Sequence, residues 1–388
     1  MDRDVICPQR EPGDETPMSE AYHPGLEGVI AGETAISTVD GGLTYRGYAI
    51  EDLAQHTTYE EVAHLLLHGE LPTAAQLQSF RQRLAGTAQL PPEVIELLGR
   101  IPPQAHAMDV LRSCVSLLAH WEPQAQDNRH EANVAKAERL LAQVPVAVAA
   151  RQRLVSGQSP MPADGSLGLA ANFLWMLRGE RPTQRQSRAL DVSLILYAEH
   201  EFNASTFSAR CVVSTLSDLH SGITAAIGAL KGPLHGGANE AALDVLQAVG
   251  SADRAEAWVR EALARKEKIM GFGHRVYKQG DPRAVFLKKL TAEVAVETGH
   301  QAWEQAAQAI EEAVWREKQI PPNVDWPCAR LYYYLGLPRA LYTPLFVMAR
   351  LAGWAAHIIE QLDHNRLIRP RALYRGPARR PVVPLDQR

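Results

Sequence analysis

The sequence predicts an all-α protein, on three observations. From about Tyr48 almost to the end, apolar residues recur at helical spacing between well-placed Gly, Pro and capping residues. Convincing strand material is confined to one stretch near the start, Gly28 to Tyr48, where β-branched and small residues alternate about an Asp40-Gly41-Gly42 turn and predict a short hairpin. The third observation is length. At 388 residues the chain supports a large core and two domains, because single cores stop growing at about 250–300 residues.

Each element has its own punctuation. Thr58 followed by Glu60 and Glu61 opens a helix through Val62, Leu65 and Leu66, which Gly69 and Pro72 close. Helices then follow over Thr73 to Leu84, Glu93 to Leu98 after Pro91-Pro92, and Met108 to Trp121. The middle of the chain carries longer ones: Asn128 to Val155, interrupted at Pro145; Leu167 to Leu177, stopped by Gly179 and Pro182; and Gln184 to His200. The last is apolar on most sides, as in a buried helix, and Tyr197, His200 and Asn203 at three-residue spacing share one face at its end. Small-residue helices over Thr206 to Leu219 and Gly222 to Leu230 lead to Lys231-Gly-Pro-Leu-His235-Gly-Gly-Ala-Asn239-Glu240. Ala241 to Val249, Arg254 to Lys268, a helix started by Asp281-Pro282-Arg283, Ala302 to Lys318, a helix to Leu335 introduced by Pro321-Pro322-Asn323-Val324-Asp325-Trp326, and Pro344 to Leu362 complete the series.

Composition excludes several classes. Forty Lys+Arg against forty-four Asp+Glu, with 46% hydrophobic and 22% charged residues, is ordinary globular chemistry and argues against disorder and bulk nucleic-acid binding. From His364 onward seven arginines face one acid, Asp386, but without aromatic interleaving this reads as a solvated tail. Cys7, Cys114, Cys211 and Cys328 form no CxxC pair, so neither a zinc ribbon nor a dense disulfide framework is expected, and a reducing cytoplasm fits. No signal core or membrane-length apolar run is present. Residues 1–20 read as a loose tail, with Met18 as an alternative start.

The chemistry-bearing residues lie in four places. His235 follows a helix-breaking Gly-Pro pair and precedes two glycines near a helix start, where N–H groups disfavour imidazolium and a neutral ring can donate to an oxyanion. Met270-Gly271-Phe272-Gly273-His274 is a second glycine-then-histidine stretch, with Lys278 nearby for a phosphate; its missing third glycine and preceding strand argue against a dinucleotide fingerprint. His200 ends a helix, and the His-Glu pair there fails the zinc motif because Ala204 stands where the second histidine is needed. Asp325 sits at a helix start, and Arg350 interrupts an apolar helix, which is tolerated when the guanidinium meets an anion. With Arg283 and Arg369, three arginines match two carboxylates bidentately, while a carboxylate and two imidazoles can remove a proton beside a carbonyl and stabilise the enolate.

KGPLHGGANE, IMGFGHRVYKQGDPRA, PPNVDW and LILYAEHEFNAST together resemble the citrate synthase family, in an order and spacing that run from about Gly25 to the C-terminus. The resemblance implies an all-α homodimer whose large helical domain, 21–235 and 337–388, carries an inserted small domain, 236–336, that closes over substrate. It also implies condensation of acetyl-CoA with oxaloacetate to citrate, with acyl-CoA as substrate, no permanently bound cofactor or metal, and no nucleic-acid or membrane partner. By the same resemblance Asp325 is the base, His235 holds the thioester oxygen, and His274 polarises the ketone of oxaloacetate. His200, Arg283 and Arg350 hold that substrate with Arg369 from the other subunit, and Met270, Gly271, Phe272, Gly273 and Lys278 bind CoA. Tyr197, where many members have histidine, and Trp326 depart from the commoner pattern beside the expected acyl pocket, and Tyr197 is similar to 2-methylcitrate synthases, which use propionyl-CoA. Within the family the alternative is a 2-methylcitrate synthase using propionyl-CoA, or a bifunctional enzyme, and a helical scaffold and a metal-dependent hydrolase are the alternatives from other classes.

Overall fold

The structure is a computed structural model, and it describes residues 22–274, 277 and 280–388. Two compact units are formed: the terminal segments 22–33 and 369–388 make one, and Thr34–Ile368 makes the other. The terminal unit holds short 3-10 turns at Pro24–Leu26 and Leu385–Gln387. Everything that carries the fold lies in the second unit. There the expected hairpin pairs β1 (Ser37–Thr38) with β2 (Thr44–Tyr45), and β3 (Tyr48–Ala49) extends it to three antiparallel strands.

Sixteen α-helices follow among the described residues. They are α1 (Ile50–His56), α2 (Tyr59–His68), α3 (Ala74–Thr87), α4 (Pro92–Arg100), α5 (Ala107–Leu118), α6 (His130–Val155), α7 (Leu169–Arg178) and α8 (Gln184–Tyr197), then α9 (Ala204–Val213), α10 (Leu219–Leu230), α11 (Ala238–Val249), α12 (Ala255–Ala264), α13 (Pro282–Glu297), α14 (Gln301–Lys318), α15 (Asp325–Tyr334) and α16 (Tyr342–Asp363). Capping explains the starts of several. Thr58, Thr73 and Thr183 each accept the N3 backbone hydrogen while Glu61, Gln76 and Gln186 reach back to the cap, so α2, α3 and α8 begin in full capping boxes.

Two local expectations are corrected. α6 runs through Pro145 without a break. Proline costs a helix roughly 3 kcal/mol, but Ala137, Leu140, Leu141 and Val144 are buried on that helix, and their combined burial outweighs the loss. α8 stops at Tyr197 rather than His200, because Asn203 caps a new helix by accepting the Thr206 N–H and Glu201 turns the chain at φ 53°. Tyr197, His200 and Asn203 therefore do not share a helix face; they mark the end of α8, the bend, and the start of α9.

The deepest element is α16, whose residues Tyr342 to Ile359 are nearly all buried. It packs against α6, α8, α9 and α10 and so forms the floor of the corner where α8 passes into α9. α13, α14 and α15 pack together on the C-terminal side of the His235 stretch. Among the described residues no helix is long and apolar enough to cross a membrane.

Candidate active site

One face of α16 builds the wall behind His200 and His235. Arg350, Gly353, Trp354 and His357 recur at helical spacing, so all four meet the α8–α9 corner. Arg350 donates Nε–H to the carbonyl of Tyr197 at 2.7 Å. A Cβ on Gly353 would overlap Glu199 Oε2 and the carbonyl of Ala198, so the corner rests on α16 only because that residue is glycine. Arg210 donates Nε–H to Nδ1 of His357 at 3.0 Å, which leaves His357 Nε2 to donate to Glu199 Oε1, also at 3.0 Å. The same oxygen accepts the backbone N–H of His200 at 2.8 Å. Burial opposes the charge on Glu199, but His357 and Arg350 outweigh it and hold the carboxyl below its ordinary range.

His235 is oriented by the start of a helix, though by α9 rather than by its own. The Ser205 backbone N–H donates to His235 Nε2 at 3.3 Å and the Ser205 hydroxyl lies 2.8 Å from the same nitrogen. That hydroxyl is committed elsewhere, donating to Asn203 Oδ1 at 2.7 Å and accepting from Trp354 Nε1 at 3.0 Å. With Nε2 accepting, the proton belongs on Nδ1. Burial, and after it the Arg350 charge, push the imidazole from its ordinary 6.5 down to about 4, so the ring is neutral at physiological pH.

His274 and Asp325 are joined by a short ladder between their two segments. Gly273 N–H donates to the carbonyl of Pro321 at 2.8 Å, Asn323 N–H to that of Gly271 at 2.9 Å, and Asn323 Nδ2 to that of Gly273 at 2.9 Å. Asn323 Oδ1 then accepts the Asp325 N–H at 3.0 Å. Gly271 has φ 90°, and a Cβ there would lie 2.8 Å from Trp326 Cε3, so both the turn and the packing require glycine. Trp326 stacks obliquely on Phe272, with ring centres 4.9 Å apart, and donates Nε1–H to Glu311 Oε1 at 2.9 Å. Met270 packs beneath the same loop against the core. Lys278 falls outside the described residues.

Asp325 accepts the Tyr197 hydroxyl at 2.5 Å, and Asn239 Nδ2 donates to the Tyr197 oxygen at 3.2 Å. Burial raises the Asp325 carboxyl above its ordinary range, against the lowering pull of the Tyr197 hydrogen bond. Phe346 links this group to the others: its ring centre lies 4.5 Å from that of Tyr197 and 6.4 Å from that of His235, and the Arg350 guanidinium sits 4.9 Å above it.

The remaining residues form a second cluster. His200 and His274 have ring centres 5.4 Å apart, Tyr277 stacks on His274 at 4.7 Å, and Arg283 lies 5.6 Å over the Tyr277 ring. Asp281 pairs with Nε and Nη2 of Arg283, both at 2.9 Å, and its Oδ2 accepts the Val324 N–H one residue before Asp325. Burial, Arg283 and Arg350 push His200 well below its ordinary pKa. Among the described residues, Arg350 Nη1, His200 Nε2 and the Tyr277 hydroxyl are buried with no hydrogen-bond partner, and so is the acceptor Glu199 Oε2. Unpaired buried donors beside two arginines are costly unless an anion completes them.

The second unit thus brings together His200, His235, His274, Arg283, Asp325, Arg350 and Tyr197. Arg369 belongs to the terminal unit, where it is exposed. Sequence reasoning missed the supporting groups Glu199, Ser205, Asp281, Asn239, Tyr277 and His357. Glu199, Ser205, Asn239, Tyr277 and Asp281 all stand inside the four motifs, and His357 lies one heptad after Arg350, which was the available signal.

Residues 25–371 match the family model described as citrate synthase, C-terminal domain. The chain is 48% identical over 366 residues to citrate synthase 2 of Bacillus subtilis, covering 94% of this chain and 98% of that protein. It is 45% identical over 370 residues to a 2-methylcitrate synthase of Shewanella oneidensis, covering 94% and 97%. Its fold is similar to a solved ternary complex of carboxymethyl coenzyme A and oxaloacetate with citrate synthase from the archaeon Thermoplasma acidophilum, with a TM-score of 0.88 at 34% identity over 95% of this chain and 100% of that one.

Proposed function

The chain belongs to the citrate synthase family, and from that premise we propose a division of labour among its residues. The reaction is the condensation of acetyl-CoA with oxaloacetate and water to give citrate and free CoA, a transfer in which an acyl group becomes an alkyl group. Asp325 removes a proton from the thioester methyl group, breaking the C–H bond, while Nδ1–H of His235 donates to the enolate oxygen. The new carbon–carbon bond forms at the ketone carbon of oxaloacetate. His274, whose Nδ1 accepts the Tyr277 N–H at 3.2 Å, carries its proton on Nε2 and gives it to the alkoxide. Hydrolysis of the citryl-CoA thioester then releases both products.

Arg283, Arg350 and His200 hold the oxaloacetate carboxylates and keto group, with Arg369 reaching in from the other subunit of a homodimer. The 270–273 loop and Lys278 take CoA, as a cleft-lining backbone with two left-handed glycines suits. Closure of 236–336 as a small domain excludes water before condensation. The free Cys114, Cys211 and Cys328 fit a reducing cytoplasm. One observation carries the reading most strongly. The guanidinium of buried Arg350, whose Nη1 is unpartnered among the described residues, lies over the same Phe346 ring that packs near His235 and Tyr197, so the anion site adjoins the proposed base and oxyanion donor.

A second reading, 2-methylcitrate synthesis from propionyl-CoA, is favoured by Tyr197 against Asp325, and the similarity to enzymes of both names supports keeping it. Tyr197 would act on acyl choice directly and Trp326 through its packing on Phe272. One methylene in an apolar pocket is worth about 1–3 kcal/mol, so the two substrates are separable by measurement. Free-thiol release with oxaloacetate and either acetyl-CoA or propionyl-CoA gives kcat/KM for each. Preference for acetyl-CoA supports citrate synthesis, preference for propionyl-CoA moves the protein to 2-methylcitrate, and silence with both returns the scaffold reading.

A further inference from the structure

We propose that Tyr277 is a direct oxaloacetate contact, its hydroxyl donating to a carboxylate oxygen of the substrate. The inference rests on the functional reading above and adds a residue to it. Three facts about this side chain point the same way. Its ring is held on both sides, stacked on His274 at 4.7 Å, edge-on to His200 at 5.7 Å and under the Arg283 guanidinium at 5.6 Å. Its backbone N–H fixes the His274 ring through Nδ1 at 3.2 Å. Yet its hydroxyl is buried with no hydrogen-bond partner among the described residues.

The stacking and backbone roles would be met equally well by phenylalanine, so they leave the hydroxyl unexplained. A buried O–H without an acceptor is unfavourable, and such groups in folded proteins are ordinarily completed by something. The acids that act on this hydroxyl electrostatically, Asp281, Glu51 and Glu201, do not accept its proton. Asp281 is committed to Arg283 and to Val324 N–H. What the hydroxyl shares its surroundings with is His200, whose Nε2 is likewise unpartnered, and Arg283. A donor hydroxyl, an imidazole and a guanidinium around one point select an anionic oxygen. A carboxylate of oxaloacetate supplies it, and the phenol adds a short-range, geometry-dependent contact to the Arg283 charge and the His200 ring.

The test is Tyr277→Phe in the full-length protein, with oxaloacetate alone as the probe in calorimetry. A hydrogen bond to a charged group accounts for roughly a ten- to hundredfold change in affinity, so the oxaloacetate Kd rises by about that factor. The acetyl-CoA KM and the ligand-free Tm stay where they are. Tyr277→Leu, which also removes the ring, loses kcat in addition because His274 is no longer braced. An unchanged oxaloacetate Kd in the Phe variant overturns the assignment, as does a fall in ligand-free Tm that accounts for the weaker binding. Thiol release by the wild-type protein separates this from failure of the functional reading: an active wild type with an indifferent Phe variant sinks only Tyr277.

Discussion

Tyr197 donates its phenolic hydrogen to Asp325 Oδ1 across 2.5 Å, while Asn239 donates to the Tyr197 oxygen from behind at 3.2 Å. Two opposed forces therefore act on one carboxylate. Burial raises its pKa and makes it a stronger base, and the hydrogen bond stabilises the ionised form and pulls the value back. Tyr197 itself is pushed well above its ordinary pKa, so it remains a donor throughout the working range. The net effect is a carboxyl raised above its ordinary range, hence a stronger base, with Tyr197 limiting the rise.

Tyr197→Phe tips that balance. Asp325 must be unprotonated to act, and deleting the hydrogen bond raises its pKa further, so the acid limb of kcat/KM against pH moves upward. Activity falls more on the acid side of the profile than on the alkaline side. An acid limb that stays in place would show that Tyr197 does not govern the ionisation of Asp325.

Asp325→Ala separates binding from chemistry. Loss of a positioned general base costs about 10²- to 10⁴-fold in kcat. The oxaloacetate Kd should be nearly unchanged, because the groups assigned to that substrate lie on other elements: His200 in the α8–α9 bend, Arg283 on α13 and Arg350 on α16. Calorimetry with oxaloacetate beside steady-state thiol release reads both. Equal loss of binding and turnover would mean that Asp325 has been given the wrong role.

The helices were legible because their caps and spacing are local: Thr58, Thr73 and Thr183 each announce a start that the backbone obeys. Pro145 misled because a proline's cost is local while the burial that overrides it is tertiary. The end of α8 misled for the opposite reason, since Asn203 was read as a late helical residue when its side chain caps the next helix. In the site, residues with unusual chemistry for their surroundings stood out, as Arg350 did in an apolar run. Ser205 and Glu199 did not, because what matters in each is a partner distant in sequence: His235 for one, His357 for the other.

Gly271→Ala tests the loop proposed for CoA. The residue is held at φ 90°, where an L side chain is strained, and the added methyl would lie 2.8 Å from the Trp326 ring. Strain of this kind costs about 1–3 kcal/mol, and the loop relieves it by leaving its ladder with Pro321 and Asn323. The acyl-CoA KM therefore rises several-fold, with a smaller effect on oxaloacetate Kd. A rise confined to oxaloacetate would place the loop on the wrong substrate.

His235 couples catalysis to stability. Its pKa is about 4 in the folded protein against an ordinary 6.5, so between those values the unfolded chain binds a proton that the folded protein refuses. The His235 contribution to stability is present above about pH 6.5 and declines as the pH falls towards 4, because the unfolded state gains its proton first. After allowance for partial exposure, His235 alone accounts for about 1–2 kcal/mol of the loss between pH 7 and pH 5. Urea unfolding at those two pH values, for the wild type and for His235→Gln, isolates the contribution, since glutamine does not titrate and the His200 contribution is common to both. A smaller pH-dependent difference in the variant is the expected result. An identical difference in the two proteins would mean that the imidazole titrates normally, and the neutral Nδ1–H donor assigned to the enolate would lose its physical basis.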